Sequence, residues 1–582
     1  MSLPFNIKFC NEENSPSITI KNEKQFNNAE IFSVIAKFDE NVPEKPFWFS
    51  FMTDNKNAFS VFAPLHRADR CLYPTWRTNL KIYTTSVVGF PLIQFIDSFG
   101  NNICTVAVID FVNPVTLSGG VDERSGNLQV KAEFFDELTK PEKNYETKLY
   151  YDTENIPYYE ALNKFNDYRA SIGYVNAYVP ESALRRTYST WYAFQRDIDD
   201  KRVFEQCLSA KQYGMNTVIV DDGWQTSETQ IPYKTAGDWL PCPERFPDMK
   251  EFVNKLHNEG MKVVLWIATP FIGCESKDFK LFEGKLLGKK DGSDKVFVAD
   301  PRFSEVRKWY VSLFCNRMKR WNLDGFKIDF INHFELTYES SKEYDKMDIP
   351  VLGEAVTALL CEISASLKQI NPEVMLEYRQ SYIGPDMLKS GNMFRVDDCA
   401  YGAFYNRVNG IDLRLCTKGS AVHSDMLMWD YNASPEAVAD QLSSLLFIVP
   451  QISMKFEKLS ESHKKVLKFY LDFIDEKREV LQHGKLIPLH PEANYSVVSA
   501  QKDGETVVAL YSAASFEISD NTSKFTVVNA SGNKNIFLKV PKHIIGKNYT
   551  ILNCTGDTVL SSSVKNEVDY YTVPQNGMMF LC

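Results

Sequence analysis

The sequence has no C-x-x-C pair, no block of lysines and arginines, and no apolar run approaching the roughly 20 residues that a membrane-crossing helix needs. Each gap excludes a class of function. Twelve cysteines are present, but Cys10, Cys71, Cys104, Cys207, Cys242 and the rest fall at irregular spacings. That pattern suits neither a zinc cage nor a disulfide framework, and it reads as the reduced thiols of a cytoplasmic protein. Phosphate backbones demand a dense positive surface, so a net charge of −10 without a basic cluster argues against nucleic acid as a partner. The stretch Met1 to Asn14 lacks the basic residues and apolar core of an export signal, which points to a chain that is neither exported nor bound to a membrane.

What is present is a long chain of ordinary globular composition. A single hydrophobic core does not extend over 582 residues, so several domains are expected. From about 15 to 155, short alternating runs such as Cys104 to Phe111 and Leu128 to Phe134 are separated by turn residues, and this reads as a β-sandwich. Between about 180 and 480, continuous apolar strands alternate with amphipathic helices, the grammar of a (β/α)8 barrel. One such helix places Ser304 as its N-cap and Val306, Trp309, Tyr310, Leu313, Phe314 and Met318 at helical spacing. Another carries Met249, Phe252, Val253 and Leu256 on one face and stops at Gly260. From about 485 the alternation returns, with Tyr495 to Ala500 and Thr506 to Tyr511 joined by a turn containing Asp503-Gly504. The expected organisation is an N-terminal β-sandwich with a linker helix over 1–175, a catalytic barrel over 176–482, and a C-terminal antiparallel β-domain over 483–582.

Eight candidate barrel strands can be placed: Thr187 to Trp191, Thr217 to Asp221, Lys262 to Trp266, Phe326 to Phe330, Val374 to Tyr378, Met393 to Asp397, Ala421 to Ser424, and Ile452 to Phe456. In such a barrel the C-terminal strand ends share one pocket. Here they supply Trp191, Asp221, Asp222, Trp224, Trp266, Lys327, Asp329, Glu377, Arg379, Arg395, Asp397, Asp398, His423 and Asp425.

In the fourth strand, alternation sets Phe326, Ile328 and Phe330 against Lys327 and Asp329, so the charged pair faces the barrel mouth if the apolar face packs on helices. An ammonium beside Asp329 would keep it anionic and nucleophilic, and a buried structural ion pair is the alternative. Asp397 and Asp398 end a strand two further on, after Arg395. A retaining glycosidase needs two carboxyl groups about 5 to 5.5 Å apart. Crowding among acids would raise the pKa of the one that donates a proton, while a capping aspartate is the plainer reading. Asp221 and Asp222 are acceptors for sugar hydroxyls or, alternatively, ligands for a hard cation. Trp191, Trp224 and Trp266 are placed to line a sugar pocket. Gly284 to Lys290 has the wrong spacing for a phosphate loop, and His423-Ser424 lacks a nucleophile elbow, so His423 reads as a satisfied barrel histidine.

The segments TVIVDDGWQ (217–225), LDGFKIDF (323–330), EYRQSYIGP (377–385) and GNMFRVDDC (391–399) together resemble family 36 of the glycoside hydrolases, the α-galactosidase family. Gly237-Asp238-Trp239, Asp300-Pro301-Arg302 and AVHSDMLMW (421–429) extend the resemblance, which covers about 185 to 460. It implies a retaining double displacement with Asp329 as nucleophile and Asp398 as acid/base, Asp397 being the competing choice. It further implies that Asp221 and Asp222 hold the galactose O4 and O6, and that Lys327 and Arg395 support the sugar and the nucleophile. Arg379 joins the expected substrate contacts. No metal and no cofactor are expected, because two carboxylates and water complete the reaction.

Two departures stand out. The R-V-D-D run is compact where many family members have a longer spacer, and Glu377-Tyr378-Arg379-Gln380 occupies a strand end where they carry a Cys/Gly-containing loop. The expected activity is release of terminal α-linked galactose from an oligosaccharide or glycoconjugate, by a chain that is a homo-oligomer in many relatives. An α-N-acetylgalactosaminidase, a transglycosylase, an α-glucosidase or α-xylosidase, and an inactive carbohydrate-binding barrel are the alternatives.

Overall fold

A computed structural model describes residues 6–9, 16–38, 47–64, 69–77, 80–135, 144–227, 233–341 and 346–581. Cys10 and most of Met1–Asn14 lie outside this set.

The N-terminal region is two packed sheets, one of five strands and one of six. The expected strands are there as Asn102–Val108 and Leu128–Phe134. Leu128–Phe134 pairs within its sheet with the strand that carries Phe47, Phe49 and Phe51, and these inward rings share one core with Cys104, Val106 and Val108 of the facing sheet. A helix, Tyr158–Ser171, leads from the sandwich towards the barrel.

All eight barrel strands form: Thr187–Ser189, Thr217–Val220, Lys262–Ala268, Gly325–Asp329, Met375–Arg379, Met393–Arg395, Ala421–His423 and Gln451–Ile452. Every pairing between them is parallel. The ring closes between the seventh strand and the approach to the eighth through a parallel bridge of His423 with Val449. Gly325 is needed at the start of the fourth strand, because a Cβ there would sit 2.1 Å from the Met375 carbonyl oxygen.

The helix Met249–Asn258 buries the four apolar residues read from its pattern and is capped by Asp248, whose side chain accepts from the Glu251 amide. The other helix differs. It runs Ser304–Trp321 with Phe303 as N-cap and no side-chain cap, so Ser304 is its first residue rather than its cap. The last region, from Lys485, holds two sheets that are antiparallel except for one parallel pair in each. Asp503 and Gly504, both with positive φ, form the tight hairpin between Val497–Lys502 and Glu505–Leu510.

One apolar core continues through all three regions. It runs from Phe90, Leu92 and Tyr150 of the sandwich, through Leu162 and Phe165 of the linking helix, to the barrel and to Tyr495 and Val507. A buried ion pair pins the same junction. Arg70 of the sandwich donates to both carboxylate oxygens of Asp412 at 2.7 Å, and the Tyr495 hydroxyl donates to the same carboxylate. Arg70→Ala would strip the counter-ion from a buried carboxylate, at a cost of roughly 3–5 kcal/mol. The expected result is a clear drop in Tm by calorimetry, with turnover per folded molecule unchanged.

The sandwich also reaches the barrel mouth. Gly384, in the loop after the fifth strand, lies against the carbonyls of Thr85, Ser86 and Gly89, and a Cβ on it would come within 3.2 Å of the last.

Candidate active site

Strand four faces as its alternation requires. Phe326 and Ile328 are buried in the core, while Lys327 and Asp329 point into the mouth. Asp329 is the most heavily hydrogen-bonded carboxylate there. Its Oδ1 accepts from Arg379 Nε at 3.1 Å, from the Phe330 amide at 2.7 Å, and from the Tyr382 hydroxyl. Its Oδ2 accepts from Trp266 Nε1 at 2.8 Å. Burial alone would push this carboxyl up, but Arg379, Lys327 and the Tyr382 and Trp266 donors outweigh it and hold Asp329 well below the usual carboxylate range. The group is an anion with one crowded oxygen and one lightly used.

Of the two readings of Lys327, the charge that keeps Asp329 anionic is present, and the direct ion pair with its strand neighbour is not what the ammonium makes. Instead its ammonium donates to Asp221 Oδ2 at 2.6 Å, because Asp221 ends the second strand across the barrel mouth, and it reaches Asp329 only through its charge. Asp221 is raised by burial, with Lys327 opposing. Asp222 accepts from Arg196 Nε at 2.6 Å, Tyr233 OH at 2.9 Å and Gln225 Nε2 at 2.6 Å. Gly223, at φ 117°, allows this: a Cβ there would strike the Arg196 backbone at 2.6 Å, and Arg196 could not lie under the turn. Among the described residues no His, Cys, Asp or Glu side chains group as a metal cage. Lys327 and Arg196 occupy the positions where a cation would offset Asp221 and Asp222.

Asp397 and Asp398 follow the sixth strand, and both are about half exposed. Arg395 Nη2 donates to Asp398 Oδ1 at 2.8 Å, and Arg379 Nη1 stands 4.0 Å from Asp398 Oδ2 and 3.4 Å from Asp397 Oδ1. Arg379 therefore touches the candidate nucleophile and both candidate acids. The expectation that crowded acids raise Asp398 is overturned. Burial does push it up, but Arg395 and Arg379 prevail and lower it. Arg395 is itself held on its far side by Asp425, whose Oδ2 accepts from Tyr192 OH at 2.9 Å and the Cys399 amide at 2.7 Å.

The tryptophans part company. Trp191 opens a short helix, Trp191–Phe194, just past the first strand and is half-buried, so it can line the mouth. Trp266 is buried and serves Asp329 through its indole N–H. Trp224 cannot line a sugar pocket: it is 0% exposed, donates its N–H to the Trp266 carbonyl, and packs on Trp239 and Trp321. Beneath the mouth, His423 donates to the Ala183 carbonyl and accepts from Gln451, and burial lowers its pKa to about 4, as fits a neutral structural histidine. Gly284 to Lys290 contributes a strand, Leu286–Lys289, to a three-stranded insert after the third barrel strand. That insert sets the Lys290 ammonium 5.2 Å from the Phe271 ring and beside Tyr233 and Phe330.

Sequence reasoning did not find Tyr382, Arg196, Gln225, Tyr233 or Tyr192. Tyr382 and Gln225 lie within segments that carried the family resemblance. Arg196 and Tyr233 sit on loops and Tyr192 on the short helix Trp191–Phe194, all without periodicity, and only their three-dimensional reach to Asp222 or Asp425 marks them.

Residues 176–426 match the model of the glycosyl hydrolases family 31 TIM-barrel domain. Among curated relatives, α-galactosidase Mel36A of Lactobacillus acidophilus is 28% identical over 174 residues, 29% of this chain and 23% of that enzyme. Myogenesis-regulating glycosidase of Mus musculus is 24% identical over 239 residues, 37% of this chain and 31% of that protein. These matches thus span less than a third of either relative's length. The solved GH36 α-galactosidase AgaA of Geobacillus stearothermophilus superposes over 100% of this chain and 89% of its own, with a TM-score of 0.63 at 12% identity. The fold is that of the family 36 α-galactosidases. An α-galactosidase of Lactobacillus brevis agrees, with 99% of this chain and 84% of that one covered at a TM-score of 0.62 and 14% identity. Variants of AgaA have been crystallised with raffinose and with stachyose. The likeness to the family 36 fold takes in all three described regions, including the sandwich that meets Gly384 and the C-terminal region that carries Tyr495.

Proposed function

We propose that this chain is a retaining, exo-acting glycoside hydrolase that releases terminal α-linked galactose, with Asp329 as nucleophile and Asp398 as acid/base. The observation that carries the reading is Asp329, ionised at the end of strand four and sharing the Arg379 guanidinium with Asp398. In the first step Asp329 attacks the anomeric carbon while Asp398 gives its proton to the departing glycosidic oxygen, leaving a covalent β-linked glycosyl-enzyme. Asp398, now a base, then takes a proton from water, which attacks the same carbon and frees Asp329. Atoms and charges balance without a cofactor. Oδ2 is the attacking oxygen, because Oδ1 already accepts three hydrogen bonds. Arg379 and Arg395 act by holding the two carboxylates, Asp221 and Asp222 by accepting sugar hydroxyls alongside Lys327 and Arg196, and Trp191 by offering a ring face at the rim.

The lowered pKa of Asp398 sets a condition on this scheme. The acid must carry a proton, so the substrate has to raise it by displacing water from around a carboxyl that is half exposed in the free protein. Two pH effects follow. The alkaline limb of kcat, which reports the bound state, is expected to lie at higher pH than that of kcat/KM, which reports the free protein. Asp425→Asn removes a carboxylate near Asp398 that competes for the Arg395 charge, so the Asp398 pKa falls and the kcat/KM limb moves to lower pH. A limb that stays in place or moves up would contradict the Arg395 link.

The deciding assay is hydrolysis of aryl α-galactoside, α-N-acetylgalactosaminide and α-glucoside. Preferential turnover of the galactoside supports the proposal, because the paired acids at Asp221 and Asp222 suit an axial O4. Preference for the glucoside supports the second reading, an α-glucosidase or α-xylosidase. Domain limits of 1–175, 176–482 and 483–582 and a reducing, cytoplasmic setting belong to the same proposal. The latter rests on ten described cysteines that all carry free thiols, in a chain where no described helix is long and apolar enough to cross a membrane.

A further inference from the structure

The turn that follows Asp398 and the start of the next helix, Ala403–Thr417, project three aromatic rings into solvent. Tyr401 is 54% exposed, Phe404 42% and Tyr405 56%, and all three fall within seven residues of the candidate acid. Large apolar side chains clustered at the surface mark a binding surface. This cluster is rigidly placed. Cys399 and Asn406, on either side of it, are both tied to Asp425: the Cys399 amide donates to Asp425 Oδ2, and Asn406 Oδ1 accepts from the Asp425 amide at 2.8 Å. Gly402 closes the turn by donating to the Cys399 carbonyl at 2.7 Å, and Gln441 donates to the Tyr401 carbonyl at 3.0 Å. Tyr401 adopts φ 61°, a left-handed conformation that a bulky residue rarely takes and that surrounding contacts must hold. The Phe404 and Tyr405 rings meet edge to face at 5.4 Å, and the Arg407 guanidinium lies 5.6 Å from the Phe404 centroid.

Asp425 also grips Arg395, and Arg395 grips Asp398. The acid and the aromatic turn are therefore built on one anchor. A general acid must lie within hydrogen-bonding distance of the oxygen it protonates, so the leaving group emerges beside Asp398. We propose that Tyr401, Phe404 and Tyr405 form a leaving-group subsite that takes the sugar released from an α-galactosidic oligosaccharide, its apolar C–H face resting on the rings. This rests on the functional reading above and deepens it. It assigns a preference for oligosaccharides over substrates with small leaving groups, and it makes the same shelf the place where an acceptor sugar would wait for transfer.

The test compares raffinose with α-galactosyl fluoride, whose leaving group has no surface to rest on the shelf. In Phe404→Ala/Tyr405→Ala, and separately in Tyr401→Asn, which keeps a residue tolerant of positive φ, the ratio of kcat/KM for raffinose to that for the fluoride is expected to fall about tenfold, mainly through KM. Tyr405→Phe should retain most of the wild-type ratio, and Tyr570→Ala, an equally exposed aromatic on the C-terminal sheet, should leave it at the wild-type value. If wild type turns over both substrates and the shelf variants keep its ratio, the subsite is refuted. It is refuted as well if those variants keep the ratio but lose an oligomer in sedimentation, which would make the rings a contact between copies of this chain. If wild type hydrolyses neither substrate, the galactosidase reading falls and the subsite falls with it.

Discussion

Asp329→Ala is expected to reduce hydrolysis of aryl α-galactoside by roughly 10⁴-fold or more, the scale seen when a covalent nucleophile is removed. The loss should be chemical rather than structural. The alanine leaves Trp266, Arg379 and Tyr382 in place around a small space at the anomeric carbon's side of the site. Azide can enter that space from the face that Asp329 occupied, so activity should return with added azide and yield β-galactosyl azide. An α-azide product, or no rescue in a protein that keeps its wild-type Tm, would remove Asp329 from the nucleophile's role. The environment of Asp329 makes this a demanding test. Its carboxylate is held far below the ordinary range by two cations and two neutral donors, and such a group has no use for a proton at any pH where the protein works.

Asp398→Ala should behave differently with different leaving groups. An activated aryl group departs with little help, so formation of the glycosyl-enzyme is nearly spared, while its hydrolysis loses base catalysis worth about 10²–10⁴-fold. The intermediate then accumulates, and KM for the aryl substrate drops together with kcat. Unactivated oligosaccharides lose both steps. Azide should again rescue, now by attacking the intermediate, and the product should be the α-azide. The same experiment on Asp397→Ala separates the two neighbours. Asp397 accepts from the Asp398 amide and from Arg379, a supporting arrangement, so its loss should cost far less and show no azide rescue.

The barrel was legible because most strands are short apolar runs between a helix stop and a polar end; the pattern overran some of the eight, since the first stops at Ser189 before the helix at Trp191, and the eighth is only Gln451–Ile452 rather than Ile452 to Phe456. Strand four was legible to the side chain, since its alternation is forced once Phe326 and Ile328 must be buried. Trp224 shows where such reading stops. A tryptophan after Asp-Asp-Gly looks placed for a sugar, but its ring is claimed by Trp321, nearly a hundred residues away on a helix whose facing no local pattern reports. The charge state of Asp398 fails for a related reason. Counting nearby acids gives a raised pKa, while the guanidiniums of Arg395 and Arg379 converge on it from different strands and reverse the sign. Ser304 illustrates a smaller slip of one residue: a good capping side chain sits next to the cap position, and Phe303 takes that position instead.

The Arg70–Asp412–Tyr495 cluster bears on how this scaffold can be taken apart. Its three members come from the first, middle and last parts of the chain, so cutting the barrel out at either end would leave a carboxylate sealed in the interior without its guanidinium or without its hydroxyl. Modular exchange of the flanking regions with those of other barrels therefore loses stability unless all three positions travel together. A chain synthesised from its N-terminus must also hold Arg70 in waiting until more than four hundred later residues have emerged.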